Sequence, residues 1–349
     1  MSSRRALVLG GTGQIGLATA RRLLDDDWDV TVAHRGRTVP TAPVPDGART
    51  ALFDRDDQAA LAAAADEVDL LVDAVCFVAE QARGLTALGD SVGALSVVST
   101  LSVYADDRGR GFETEGLFPE YPLVMTESQP RVPAGDQGYS PCKVSVEDVL
   151  LAHTAVPVTI TRPGAVYGRG SMHPRELWAY VRARAQRPRV ILAHEGRTRF
   201  QPSSSEVIAE ITALAAGLPG TRVYNAVDDH APTVREIVAA VAAAVGHSWE
   251  EVLLPGDPVG EISQIGSTPW SVPNDVVASG ALAHSELGLP RTTSYLDALP
   301  DLVAWLDEVL AGGRSWRTVF ASAAKIEGDG LDDWAAEDAY LRTRDAARS

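Results

Sequence analysis

The chain has 349 residues, 45% of them apolar and 22% charged, the balance of a globular protein and not of a disordered or fibrous one. Acidic residues outnumber basic ones 47 to 31, and the formal charge of −16 argues against nucleic acid or an anionic membrane as the main partner. The two cysteines exclude a disulfide framework, and no apolar run approaches the ~20 residues of a membrane span.

Strand-like and helix-like segments alternate from the start. Ala6-Leu7-Val8-Leu9 is a short apolar strand that ends in glycines. Residues 16–24 follow at helical spacing, with Ile15, Ala18, Leu23 and Leu24 available to one face. Residues 29–33 read as a second strand, 58–65 as an Ala-rich helix, and 69–75, 94–98 and 156–162 as further buried strands. Val/Leu/Ile runs separated by helices predict an α/β fold with a parallel sheet covered on both faces. Residues 106–136 form a long Gly-, Pro- and acid-rich stretch of the kind that serves function. Residues 255–273 read as a Pro-rich loop and 294–311 as an amphipathic helix. In the charged tail, Trp316, Val319, Phe320 and Trp334 point to docking. The short lead before the first strand leaves no room for a signal peptide, so the expected location is the cytoplasm.

Gly10-Gly11-Thr12-Gly13-Gln14-Ile15-Gly16 lies between the first strand and the first helix. There glycines let backbone N–H groups approach a pyrophosphate, and the helix N-terminus adds favourable partial charge. The second strand ends in His34-Arg35-Gly36-Arg37, where an NAD site would place an acid. Arg35 and Arg37 can pair with a 2′-phosphate, so NADP(H) is favoured and NAD(H) stays open. Asp54-Arg55 follows the next extended piece and is expected at the adenine edge.

Tyr139 and Lys143 stand at i and i+4, on one face if the segment is helical. An ammonium beside a phenol lowers the phenol's pKa and lets it exchange a proton near neutrality. Val97-Val98-Ser99-Thr100 ends a strand, which puts Thr100 at the edge of the sheet where such folds bind ligands. The seven histidines have no metal-binding spacing, so no metal site is expected. Cys142 reads as a small packed thiol.

These motifs, with Arg162-Pro163-Gly164-Ala165-Val166-Tyr167-Gly168, resemble the extended short-chain dehydrogenase/reductases, the NAD(P)-dependent epimerase/dehydratase group. The resemblance covers roughly residues 5–310 and includes a stretch, Trp270-Ser271-Val272-Pro273, of a reductase-like branch. It implies a Rossmann-type doubly wound parallel sheet with a smaller C-terminal substrate-binding lobe. It also implies that Thr100 orients the substrate oxygen and Tyr139 is the acid/base. Lys143 would hold the nicotinamide ribose, and Pro163 and Gly164 would lie near the nicotinamide. The expected organisation is a core over 1–168, a lobe segment over 169–198, a return to the core over 199–240, the lobe over 241–312 and a tail over 313–349. A homodimer through helices near 81–91 and 139–153 is implied too, the second offering Val144, Val146, Val149, Leu150 and Leu151.

The sequence also departs from the family. Leu101-Ser102 follows the threonine where dehydratases have Asp-Glu, so dehydration is not expected. Ala165 replaces an Asn that contacts a substrate diphosphate, whereas Arg199 matches a diphosphate-binding arginine. Asp73-Ala74-Val75-Cys76-Phe77 replaces the usual His/Asn-Ala-Gly segment. The favoured reading is a hydride transfer between nicotinamide and the carbonyl or alcohol of a small polar metabolite. A nucleotide-sugar epimerase that retains its NAD, or a non-catalytic dinucleotide-binding protein, are the alternatives.

Overall fold

The computed structural model describes residues 3–37, 39–153, 155–260, 265–291, 293–327 and 331–348. The parts of the expected segments that fall at 1–2, 38, 154, 261–264, 292, 328–330 and 349 lie outside the described residues. The chain divides into two units: Met1–Ser171 with Gln201–Asp229 and Val277–Thr292, and Met172–Phe200 with His230–Val276 and Thr293–Ser349.

The first unit is built on seven parallel strands: β1 (Arg5–Leu9), β2 (Asp29–His34), β3 (Arg49–Leu52), β4 (Leu70–Asp73), β5 (Leu95–Val98), β6 (Val158–Pro163) and β10 (Thr221–Ala226). Their order is β10-β6-β5-β4-β1-β2-β3. The chain therefore reverses direction across the sheet between β1 and β4, where such sheets open a ligand crevice. Side chains alternate along each strand. Ala6 and Val8 join Leu23, Trp28, Val30 and Val72 on one face, while Leu7 and Leu9 join Leu71, Val97, Val146 and Ile160 on the other. Helices α1 (Gln14–Asp25) and α6 (Ser205–Ala215) pack together, as do α3 (Ala79–Thr86) and α4 (Tyr139–Leu151). A seven-residue helix, α2 (Gln58–Ala64), buries Leu61. The sheet is the doubly wound one expected. Its weakest sequence signal was β3, an edge strand that is largely exposed.

A short parallel pair, β7 (Ala165–Tyr167) with β9 (Pro202–Ser204), belongs to the same unit. So does α8 (Ala281–Leu287), whose Ala283 packs with Ile208 and Tyr224.

In the second unit β8 (Arg189–Leu192) pairs with β11 (Glu250–Leu253), and α7 (Val234–Val245) packs against α5 (Leu177–Arg184) and α9 (Tyr295–Val309). Two boundaries differ from the sequence expectation. The buried face of α7 rests on α5 and α9, so residues 230–240 leave the nucleotide-binding core; α8 returns to that core because its apolar side covers β10. The tail docks within the second unit through α10 (Trp316–Val319), α11 (Ala321–Glu327) and α12 (Ala335–Arg348). Leu341 packs on Ile191 and Val252, and Arg182 and Arg189 pair with Glu337 at 2.9 Å and Asp345 at 2.8 Å. Trp178, Trp270 and Trp305 are buried there.

Candidate active site

The glycine turn leads from β1 into α1. Gly10 takes φ +76° and its N–H donates to the Ala33 carbonyl at 3.1 Å. A Cβ on Gly16 would meet the Gly10 carbonyl oxygen at 2.5 Å, so only glycine closes this turn. At Gly13, the N-cap, a Cβ would find nothing nearer than 3.6 Å, and no side chain caps the helix. Thr12, Gln14 and Ile15 complete an open, uncapped helix start of the kind that accepts a phosphate. These residues fit a dinucleotide.

At the end of β2 the Nδ1 of His34 accepts from the Gly36 N–H at 3.1 Å, and Arg35 is exposed. Arg37 is exposed as well, but Asp54 lies 3.6 Å from its guanidinium. An acid from just past the end of β3 therefore does reach this turn, which the sequence alone did not reveal. Arg55 is committed elsewhere: its guanidinium is buried against Asp73 at 2.5 Å. Asp73 replaces the family's His/Asn, and this pair stands where the sequence expected an adenine contact.

Helix α4 puts Tyr139 on its first turn and Lys143 one turn on. Lys143 is only 2% exposed, and its ammonium donates to the carbonyls of Cys76 at 2.7 Å and Val98 at 2.9 Å. It is thereby pinned at the carboxyl ends of β4 and β5, two residues before Thr100. The rings of Phe77 and Tyr139 flank it, with centroids at 4.7 and 5.8 Å. Burial pushes the ammonium down from its ordinary value, opposed by nearby acids including Asp73 and Glu147. Tyr139 is 46% exposed and Phe77 47%. Thr100 caps the 3-10 turn Leu101–Val103, its Oγ1 accepting from the Ser102 N–H at 3.1 Å. The structure thus brings Tyr139, Lys143 and the strand end that carries Thr100 together.

Pro163 ends β6. Gly164 donates its N–H to the Ser203 Oγ at 2.8 Å, and a Cβ there would meet the Gln201 carbonyl oxygen at 2.2 Å. Ala165 is buried in β7 with its N–H on the same carbonyl at 2.8 Å. Arg199 belongs to the second unit, where its backbone N–H donates to Asp275 at 2.9 Å and its guanidinium to the Ala231 carbonyl at 2.5 Å.

Three groups at the site, Glu147, Phe77 and Glu113 at the start of α4, were not singled out from the sequence. Glu147, fully buried one turn past Lys143, accepts from Ser99 Oγ at 2.6 Å and from Arg162 at 2.6 and 2.9 Å. Arg162 also donates to the Tyr104 hydroxyl at 3.1 Å, which donates to Asn225 at 2.6 Å. Burial pushes the Glu147 carboxyl up, but Arg162, Ser99 and Arg131 outweigh it and hold it below its ordinary range. The i, i+4 spacing of Glu147 from Lys143 was the available signal. Phe77 and Glu113 had none in their local pattern. Among the described residues no group of three or more His, Cys, Asp or Glu could hold a metal, and no helix is long and apolar enough to cross a membrane.

A glycine turn at the switch point of a parallel sheet, with Tyr and Lys on one helix beside it, defines a nicotinamide-dependent enzyme of the short-chain dehydrogenase/reductase class. The sequence model of the NAD dependent epimerase/dehydratase family matches residues 6–201. The chain belongs to that family. It is 26% identical over 267 residues to 2'-dehydrokanamycin reductase of Streptomyces kanamyceticus, covering 72% of this chain and 70% of the relative. UDP-glucose 4-epimerase of Thermus thermophilus, solved with NAD, superposes with TM-score 0.64 at 20% identity, covering 88% and 99% of the two chains. The dTDP-glucose 4,6-dehydratase of Bacillus anthracis, also with NAD, gives TM-score 0.68 at 17% identity over 91% and 100%.

Proposed function

We propose that the protein is a net oxidoreductase that transfers a hydride between NADP(H) and a carbonyl or alcohol of a small polar metabolite bearing no nucleoside diphosphate. The observation that carries this reading is Lys143, pinned by two carbonyls beside the Tyr139 ring and the end of β5. The similarity to a reductase supports net reduction.

In this reading the turn from Gly10 to Gly16, with Thr12, Gly13, Gln14 and Ile15, holds the pyrophosphate. Arg35, with Arg37 and His34 beside it, receives the 2′-phosphate. Asp54 flanks the adenine, and the buried Arg55–Asp73 pair supports its wall. Pro163 and Gly164 border the nicotinamide. When bound, the nicotinamide supplies the site that gives or takes the hydride. Thr100 hydrogen-bonds the substrate oxygen. Tyr139 donates a proton to that oxygen in reduction and removes it in oxidation, and Lys143 keeps the phenol's pKa low enough for either. Elimination of water has no acid/base pair at Leu101-Ser102. With Ala165 buried and apolar, a diphosphate loses a hydrogen bond worth about 1.5–3 kcal/mol.

The test has two parts. Fluorescence titration is expected to give NADPH at least about tenfold tighter than NADH, the gain of a charge-assisted pair. Equal affinities, or NAD co-purifying at full occupancy, would favour an epimerase that retains its cofactor, the activity named for several structural neighbours. UDP, TDP or GDP should not raise the melting temperature in the presence of cofactor. A rise abolished by Arg199→Ala would establish a nucleotide-linked substrate.

A further inference from the structure

Helix α4 begins at Tyr139 without a side-chain cap from its own N-cap residue, Gly138, which has φ +80°. Its first amides are satisfied from another part of the chain. Glu113 accepts from the Tyr139 N–H at 2.8 Å with one carboxylate oxygen and from the Ser140 N–H at 2.6 Å with the other. Burial pushes this carboxyl up, but the two amides outweigh it and hold it below its ordinary range. A Cβ on Gly138 would stand 3.2 Å from the carboxylate, so glycine there leaves it room.

Glu113 is presented by a built platform. The Asp106 carboxylate takes the Arg110 Nε at 2.7 Å and the backbone N–H groups of Arg108, Arg110 and Glu120 at 2.9 to 3.0 Å. Phe112 packs edge-on against Phe118 and tilted against Tyr121, with centroids 5.4 and 5.8 Å away. Tyr121 in turn donates to the Tyr104 carbonyl at 3.1 Å. The segment that carries the exposed Glu113 is therefore anchored on both sides of it.

We propose that Glu113 is a positioning residue: its bidentate grip on the first turn of α4 holds Tyr139 against Lys143. This rests on the reading of Tyr139 as the acid/base. The helix start would otherwise fray, because the first four amides of a helix have no partner within it. Tyr139 occupies the first of those positions. Fraying there swings the phenol away from an ammonium that cannot follow, since Lys143 is tied to Cys76 and Val98. Among the described residues, the charged groups around this end of the helix include Asp136 just before it, the Arg55–Asp73 pair, Glu147 with Arg162 two turns on, and the Glu80–Arg83 pair of α3; the interactions that shift the Glu113 carboxyl come from Tyr139 and Ser140 and not from these.

The sign of one measurement separates positioning from simple charge. Removing a carboxylate near a phenol, with nothing moved, lowers the phenol's pKa; moving the phenol away from Lys143 raises it. Tyrosine ionisation is followed by absorbance near ~295 nm with saturating NADP⁺, and the Tyr139 contribution is isolated by difference from Tyr139→Phe. In Glu113→Ala that titration is expected to rise by about half a unit or more. Glu113→Gln, which keeps one acceptor oxygen for the two helix amides, is expected to raise it by less than Glu113→Ala does. An unchanged or lowered Tyr139 titration in Glu113→Ala overturns the proposal, even if the melting temperature falls. A parent protein whose Tyr139 titrates at an ordinary phenol value overturns the acid/base reading itself, and this proposal with it.

Discussion

Tyr139→Phe keeps the ring beside Lys143 and removes only the exchangeable proton. It is expected to lower kcat by about 10² or more while cofactor affinity stays nearly unchanged, since general acid–base catalysis contributes on that order. Steady-state kinetics beside a cofactor titration check both halves. A second single-residue expectation concerns pH. Burial pushes the Asp228 carboxyl up to about 6, although it accepts from the Ser204 N–H at 2.9 Å and the Tyr167 hydroxyl at 2.8 Å. An acid whose folded pKa is raised favours the fold while protonated, and that contribution is lost as pH rises through the folded value. Asp228→Asn should therefore melt higher relative to the parent at pH ~8 than at pH ~5, by a few degrees. Paired melting curves at the two pH values test this, and a constant difference would count against it.

At the scale of elements, the Glu147–Arg162 pair joins α4 to β6 in the buried layer under the candidate site, and Ser99 adds the end of β5. Removing one partner of a buried pair leaves the other charged and unsatisfied, at a cost of about 3–5 kcal/mol. Glu147→Ala should lower Tm by on the order of 10 °C, whereas Glu80→Ala, which breaks an exposed pair with Arg83, should barely move it. Calorimetry on the two variants makes the comparison. The strands and the Tyr–Lys helix were legible in the sequence because burial on both faces writes continuous apolar runs and because i, i+4 partners share a face. β3 was not, because an exposed edge strand needs no such run. The grip of Glu113 on α4 was not either: it spans 26 residues of chain, and nothing in local periodicity couples such distant positions. The pairing of Arg55 was not legible for the same reason, since its partner Asp73 lies on β4, 18 residues further on.

For the whole molecule, the expectation of pairing through α3 and α4 changes in its basis. Val144, Val146 and Leu150, counted from the sequence as surplus apolar surface, are buried within the chain, and Val146 and Leu150 pack on β5 and β6. The face between the two helices keeps a groove of about 500 Å³ that includes Val78, Ala79, Cys142 and Val149, with Glu80 and Arg83 beside them. A second copy seated there would give a dimer mass by light scattering at micromolar concentration. A monomer mass would mean that this groove is left to water. If the dimer forms, Val149→Asp should shift the mass toward monomer, because this side chain lines the groove.

The chain passes between its two units five times, and the last passage into the first unit, residues 277–292, supplies Ala283 and Leu289 to the cluster that covers β10 and α6. On the ribosome this fixes an order of events. The strand, once made, waits for about sixty more residues before its apolar cover exists, on the order of seconds at ordinary rates of elongation. Throughout that interval the part of this cluster that α8 comes to cover is a sticky surface on an unfinished chain, a target for a chaperone and a hazard if synthesis stalls. A message truncated anywhere before codon 277 yields a product with that surface permanently bare.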